Sequence, residues 1–221
     1  MIERLLDLSP LFTQSIYETL MMVAIGLVIS TLIGIPLGVL LVITRPNHLA
    51  ANKWLFQILN TVINIIRSLP FIILMVAIIP FTELIMGTAI GIEGALVPLI
   101  VYTAPYIARL METALLEVDR GVIEAYWAMG ASRTQIIMRI MIREARPGIL
   151  LCLTIATIGL IGATAMAGAV GAGGLGDLAL RYGYQQWDMP VMLVTVILLV
   201  ILVQSIQSFG NWAAKKMKKN A

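Results

Sequence analysis

The chain has 221 residues, of which 60% are hydrophobic and 12% charged, with a net charge of +3. A soluble domain is nearer 45–50% apolar and about 25% charged, so that class is excluded. The apolar residues come in long runs rather than in alternation. This points to an all-α integral membrane protein built as one membrane domain.

The chain begins with a short segment, residues 1–14, carrying Glu3, Arg4 and Asp7. It has no basic region leading into a short apolar core, so no cleaved signal peptide is expected. The first span is predicted at residues 15–43, with no charge after Glu18. Gly26, Ser30, Gly34 and Gly38 recur every four residues along it, a small-residue row that lets another helix approach closely. Pro36 is expected to bend it. The following loop holds Arg45, His48 and Lys53, and His48 there reads as solvated rather than as a ligand.

A second span is predicted at 54–79, interrupted by Arg67-Ser68-Leu69-Pro70. The link to the third span holds Glu83 and Glu93 and has room for a short surface helix. The third span, 94–115, is the weakest, because Arg109 and Glu112 make its end polar. These two residues and Glu18 read as solvated or paired structural charges. The fourth span, 147–170, opens on Pro147, a residue suited to a first helical turn. Gly159, Ala163, Ala167 and Gly171 make a second small-residue row. The lone Cys152 lies in this apolar run, so no disulfide or thiolate metal framework is expected. A glycine-rich polar stretch precedes the fifth span, 189–212, and residues 213–221 form a basic tail.

Five spans put the termini on opposite sides, and the basic residues then set the orientation. One side carries Arg45, Lys53, Arg120, Arg133, Arg139, Arg143, Arg146 and the tail lysines, against Arg4 and Arg181 on the other. The expected topology therefore has the N-terminus outside and the C-terminus in the cytoplasm. Basic residues sorted this way give no nucleic-acid signal.

Between the third and fourth spans lies a polar island, 116–146. Asp119 can cap a helix from Gly121 to Met129, with Val122, Tyr126 and Met129 on one side and Glu124 elsewhere. Gly130 can end it in a left-handed residue. Ser132-Arg133-Thr134-Gln135 reads as a capping box opening a second helix through Ile140. The pattern Glu124-Ala125, then Gly130, then Ile140-x-Ile142 is similar to the EAA loop of permease subunits of ATP-binding-cassette importers. Tyr126 replaces the second alanine of the family pattern, Ile142 its leucine and Arg143 its proline. The resemblance implies a type I importer permease fold in which Glu124, Ala125, Tyr126, Met129 and Gly130 couple to a separate ATPase subunit.

Arg67 is the cation well inside a span, where a buried charge is costly. It either clamps carbonyls freed at Pro70 or marks a polar point on a substrate path, with Ser68 and Pro70 beside it. Arg-Ser-Leu-Pro also resembles an element of amino-acid importer permeases. Met166 stands among Gly162, Ala163, Ala165, Ala167 and Gly168. It is either a lipid-facing or core methionine, or an apolar plug closing a pore in a two-fold dimer. Gly171-Ala172-Gly173-Gly174-Leu175-Gly176 matches the dinucleotide fingerprint literally, but a span precedes it instead of a strand, so that reading fails. The better reading is a flexible turn with close backbone packing. With Tyr182 and Tyr184, the stretch resembles an outer loop of methionine-importer permeases, the place for a binding protein to dock. Thr44-Arg45-Pro46, Ile66 to Phe71 and Glu112 to Val118 extend the match.

The resemblance implies a bacterial inner-membrane permease that works as two copies. It implies two ATPase subunits holding ATP and Mg, with no cofactor on this chain itself, and an external lipid-anchored or soluble binding protein delivering L- or D-methionine. No G-x-x-x-x-G-K-[ST] occurs, so ATP hydrolysis must belong to another subunit. A permease for another amino acid, a dipeptide or a quaternary amine, and a non-transport membrane scaffold, remain the alternatives.

Overall fold

The computed structural model describes residues 8–219. The reading of residues 1–7, with Arg4, lies outside them. Helix α1, Ser9–Thr44, starts earlier than expected, with Pro10 in its first turn, so residues 9–14 belong to the helix. Pro36 sits inside α1 without ending it.

The expected second span is not one rod. Helix α2, Lys53–Ser68, and α3, Phe71–Ala77, meet at a bend of 104°. Pro70 has no N–H to continue α2 and holds Leu69 in an extended conformation (φ −85°, ψ 131°). A short helix α4, Ile79–Met86, follows and ends at Gly87, as the link suggested.

Helix α5, Gly91–Leu116, is the least apolar of the four unbroken candidate spans, with mean hydropathy 1.4, and also the most buried. Both facts have one cause: it is solvated by protein rather than lipid. Gly34 and Gly38 of α1 lie against it so closely that a Cβ on Gly38 would fall 2.6 Å from Met111 Cβ. Ile63 of α2, Leu41 of α1 and Ala108 of α5 form another buried cluster. The first small-residue row therefore does what its spacing implied.

The island folds as α6, Arg120–Ala128, then α7, Arg133–Gln135, running through a π-helical stretch, Ile136–Met141, into α8, Ile142–Glu144. The second island helix thus passes Ile140, and Ala145 separates it from α9, Arg146–Gly168. Pro147 opens α9 rather than breaking α8. The glycine stretch is not a flexible turn: it forms α10, Gly174–Leu178, and a π-helical stretch, Ala179–Gln185. Helix α11, Met189–Lys219, absorbs residues 213–219 of the expected tail. Four unbroken helices, or five with the bent pair counted, are long and apolar enough to cross a membrane among the described residues. The molecule is an all-α, multi-pass membrane bundle.

Candidate functional site

The island is rooted in the bundle and exposed at its tip. Ile136 and Met141, 0% and 1% exposed, pack with Val42, Met111 and Leu115, and Ile123 joins them. The Asp119 carboxylate accepts a hydrogen bond from Gly121 N at 2.6 Å, capping α6. At the other end, Gly130 N donates to Trp127 O and Ala131 N to Tyr126 O. These are the two bonds of a Schellman termination, and Gly130 takes the left-handed φ of +82° that it requires. Ser132 and Gln135 then complete a reciprocal capping box, at 3.3 and 2.8 Å. Two helices are therefore locked at a rigid elbow.

The end of the first island helix carries three large apolar side chains outward. Tyr126, Trp127 and Met129 are exposed, Met129 at 70%. Glu124 and Ala125 are exposed beside them. Trp127 lies outside the one-sided stripe read from the sequence, which followed Val122, Tyr126 and Met129. A wide aromatic tip on a short, capped helix is a surface suited to insertion into a groove. Beside it, His48, Arg120, Glu124, Trp127 and Arg133 line a cleft of about 410 Å³. His48 is half-buried rather than solvated, and burial, then Arg120 and Arg45, hold its imidazole below its ordinary range.

Where α2 and α5 meet, Glu112 is 4% exposed and pairs with Arg109 and, at 3.6 Å, with Arg45. Arg109 also donates to Asn60 Oδ1 and Asn64 Oδ1, each at 2.7 Å. The charges that weaken the third span are thus paired inside protein. Asn64 and Arg67 are exposed, and Asn60 half-buried, on one side of α2. Together they form a polar stripe that the apolar character of the span obscured.

Arg67 does not clamp the carbonyls near Pro70. Ser68 Oγ donates to Ile65 O at 2.7 Å, and Leu69 N to Ile66 O at 3.2 Å. The Arg67 guanidinium instead lies over the Tyr106 ring, 5.8 Å from its centre. Tyr106 in turn borders Gly159 on α9, and Gly159, Gly162 and Met166 share one exposed face, Met166 at 52%. In the second small-residue row Ala163 and Ala167 are buried, whereas Gly159 lies on this open face. Arg67 and Met166 therefore belong to one continuous surface.

At the opposite end of α9, the glycine stretch is held by α1. Gly174 N donates to the Glu18 carboxylate at 2.7 Å, and Leu175 N to Thr19 Oγ1 at 2.9 Å. Gly171, Gly173 and Gly174 all have positive φ. A Cβ on Gly176 would fall 2.3 Å from Ala165 O, so the segment folds flat onto α9. Tyr182 is half-buried near Phe12 and Val191, whereas Tyr184 is 64% exposed and adjoins the exposed Trp187. No strand precedes the glycines, which confirms that the dinucleotide match is accidental.

A membrane bundle with a rooted, apolar-tipped elbow at one end and a pinned glycine segment at the other defines a membrane subunit built to engage a separate protein. The chain belongs to the family of binding-protein-dependent transport system inner membrane components, whose model matches residues 34–219. It is 48% identical to the probable D-methionine transport system permease protein MetI of Vibrio cholerae, over 95% of this chain and 93% of that one. It is also 48% identical to the D-methionine transport system permease protein MetI of Escherichia coli K12, over 67% and 68% of the two chains. A solved structure of inward facing conformations of the MetNI methionine ABC transporter superposes with a TM-score of 0.94 at 45% identity, covering 96% of this chain and 98% of that one. An amino acid ABC transporter crystal structure shares the fold, with a TM-score of 0.81 at 16% identity.

Proposed function

We propose that this chain is the permease subunit of an ATP-driven importer for methionine, in the L or D form. In this reading two copies form the pathway, two ATPase subunits bind and hydrolyse ATP with Mg, and an external binding protein delivers the substrate. The observation that carries the reading is the island: an elbow fixed by three local devices, with its aromatic tip left uncovered, in a chain 48% identical along nearly its whole length to a relative named for D-methionine transport.

The mechanism follows from the rigidity of that elbow. ATP binding closes the ATPase pair, and the seated tip carries the movement into Ile136 and Met141, hence into the inner ends of α1 and α5. A ligand shifts such an equilibrium only through unequal affinity for its two states. ATP favours one state inside, and the loaded binding protein supports it outside. The clustering of arginines and lysines at the island end supports a cytoplasmic island and C-terminus in a bacterial inner membrane, with the N-terminus outside. The exposed Tyr184 and Trp187 then face the binding protein, whereas Gly174 and Gly176, expected at the docking surface, are buried and only support it. The surface running from Arg67, Ser68 and Pro70 across Tyr106 to Met166 lines the pathway, and Met166 from each copy closes it.

Uptake of labelled methionine by vesicles containing the chain, its co-expressed ATPase and the binding protein tests the reading. ATP-dependent uptake competed by D- and L-methionine, and not by dipeptides or quaternary amines, is the expected result. Uptake without ATPase, or competition by the other solutes alone, would overturn it. Met166→Ala is expected to raise solute leak in the absence of ATP.

A further inference from the structure

A second cleft of about 450 Å³ lies between the island and the ends of α9 and α11, with Val122 and Tyr126 of α6 on its island side. Arg139, Arg143 and Arg146 line it, with Pro147 and Met217 among its apolar walls. All three arginines are exposed, and among the described residues their guanidiniums make no ion pair or hydrogen bond. One carboxylate, Glu144, shares the lining. Three unpaired guanidiniums lining one hollow supply the donors that a phosphate oxyanion takes.

The position of the hollow selects the source of that phosphate. Arg146 is the first residue of one candidate span, and Met217 lies in the last turn of another. With the fifth span ending at residue 212, as its composition predicts, the cleft opens just past that end, on the headgroup side. Trp212, 57% exposed, lies little more than one turn from Met217, with the Lys216 ammonium over its ring at 5.2 Å. Aromatic and basic side chains ranked in this way mark a membrane interface. Lys215 and Lys218 are exposed on the same helix end. An acidic side chain of a soluble partner needs no apolar wall at this depth, whereas a glycerophospholipid presents a phosphate joined to an acyl-bearing glycerol.

We propose that this cleft binds the phosphodiester headgroup of an anionic phospholipid, with the three arginines on the phosphate and Pro147 and Met217 against the glycerol and upper acyl chain. The lipid then acts as a wedge of fixed charge between the island and the ends of α9 and α11.

Native mass spectrometry of the full-length protein, titrated with phosphatidylglycerol, phosphatidylcholine or inorganic phosphate, tests this. Phosphatidylglycerol is expected to bind about tenfold or more tightly than phosphatidylcholine, as several basic residues at an anionic headgroup imply. Arg143→Gln with Arg146→Gln is expected to remove most of that preference. Met217→Glu, at a half-exposed wall position, is expected to do the same while leaving every arginine in place, so a folding failure of the first variant does not decide the result. No preference for the anionic lipid, or a preference untouched by both variants, would overturn the assignment. Displacement of phosphatidylglycerol by equimolar inorganic phosphate would overturn it in favour of a free-anion site. Loss of a co-purifying ATPase with lipid binding unchanged would overturn it in favour of a protein interface. None of these readouts depends on methionine uptake.

Discussion

Replacing Gly130 isolates the elbow from everything around it. Its φ is +82°, and an added Cβ would meet nothing within 4 Å. A side chain there therefore acts through backbone conformation and not through a clash. A non-glycine residue held in the left-handed region costs about 1–2 kcal/mol, which is roughly a 5- to 30-fold shift toward an opened elbow. Asparagine tolerates that region better than alanine, and a β-branched residue tolerates it worst. The expected order of elbow integrity is therefore Gly130, then Gly130→Asn, Gly130→Ala and Gly130→Val. The amides of Gly130 and Ala131 make the two terminating bonds, so their hydrogen exchange reports opening directly. Methionine taken up per ATP hydrolysed, measured on the same preparations, should fall in the same order. Exchange and coupling in Gly130→Val equal to those of the parent would refute a role for this glycine in setting the elbow.

Along α1, Gly38→Ala places a Cβ 2.6 Å from Met111 Cβ and 2.7 Å from Ala108 O, whereas Gly26→Ala meets a flexible leucine methyl at 3.4 Å. Overpacking of the first kind costs about 1–3 kcal/mol, so thermal unfolding should show a clear loss for Gly38→Ala and little for Gly26→Ala. Glu18→Ala removes a charged acceptor from Gly174 N, a bond worth roughly 1.5–3 kcal/mol. Amide exchange at Gly174 and Leu175 should rise, with Glu18→Gln intermediate, while the island remains protected. His48 is held below its ordinary pKa in the folded protein, so the unfolded chain takes up its proton first as pH falls below about 6.5. The stability contributed by neutral His48 is complete above that pH and declines below it. Melting temperature should fall less on acidification in His48→Gln than in the parent.

What the sequence disclosed was what lies close together along it. The Asp119 cap, the Gly130 termination and the Ser132 to Gln135 box each span only a few residues, so their geometry follows from residue type. The Gly34 and Gly38 row was equally legible, because helical period alone puts those residues on one face. The bond from Glu18 to Gly174 joins positions 156 apart, and no local pattern announces it. The polar stripe through Asn60, Asn64 and Arg67 was hidden because hydropathy averages around a helix and loses its faces. Of the two readings of Arg67 only the clamp fails, because Ser68 Oγ and Leu69 N bond the nearby carbonyls and the guanidinium lies over Tyr106. Trp127 escaped notice because a tip that wraps around the helix end does not obey a one-sided stripe.

Glu112 is a knot. It ties Arg45, just beyond α1, to Arg109 of α5, which in turn grips two asparagines of α2. Moving any one of the three segments alone at that depth would strip a partner from a buried carboxylate or from the arginine that holds it. The same helix turns through 104° at Leu69 and Pro70, past the last residue this network holds.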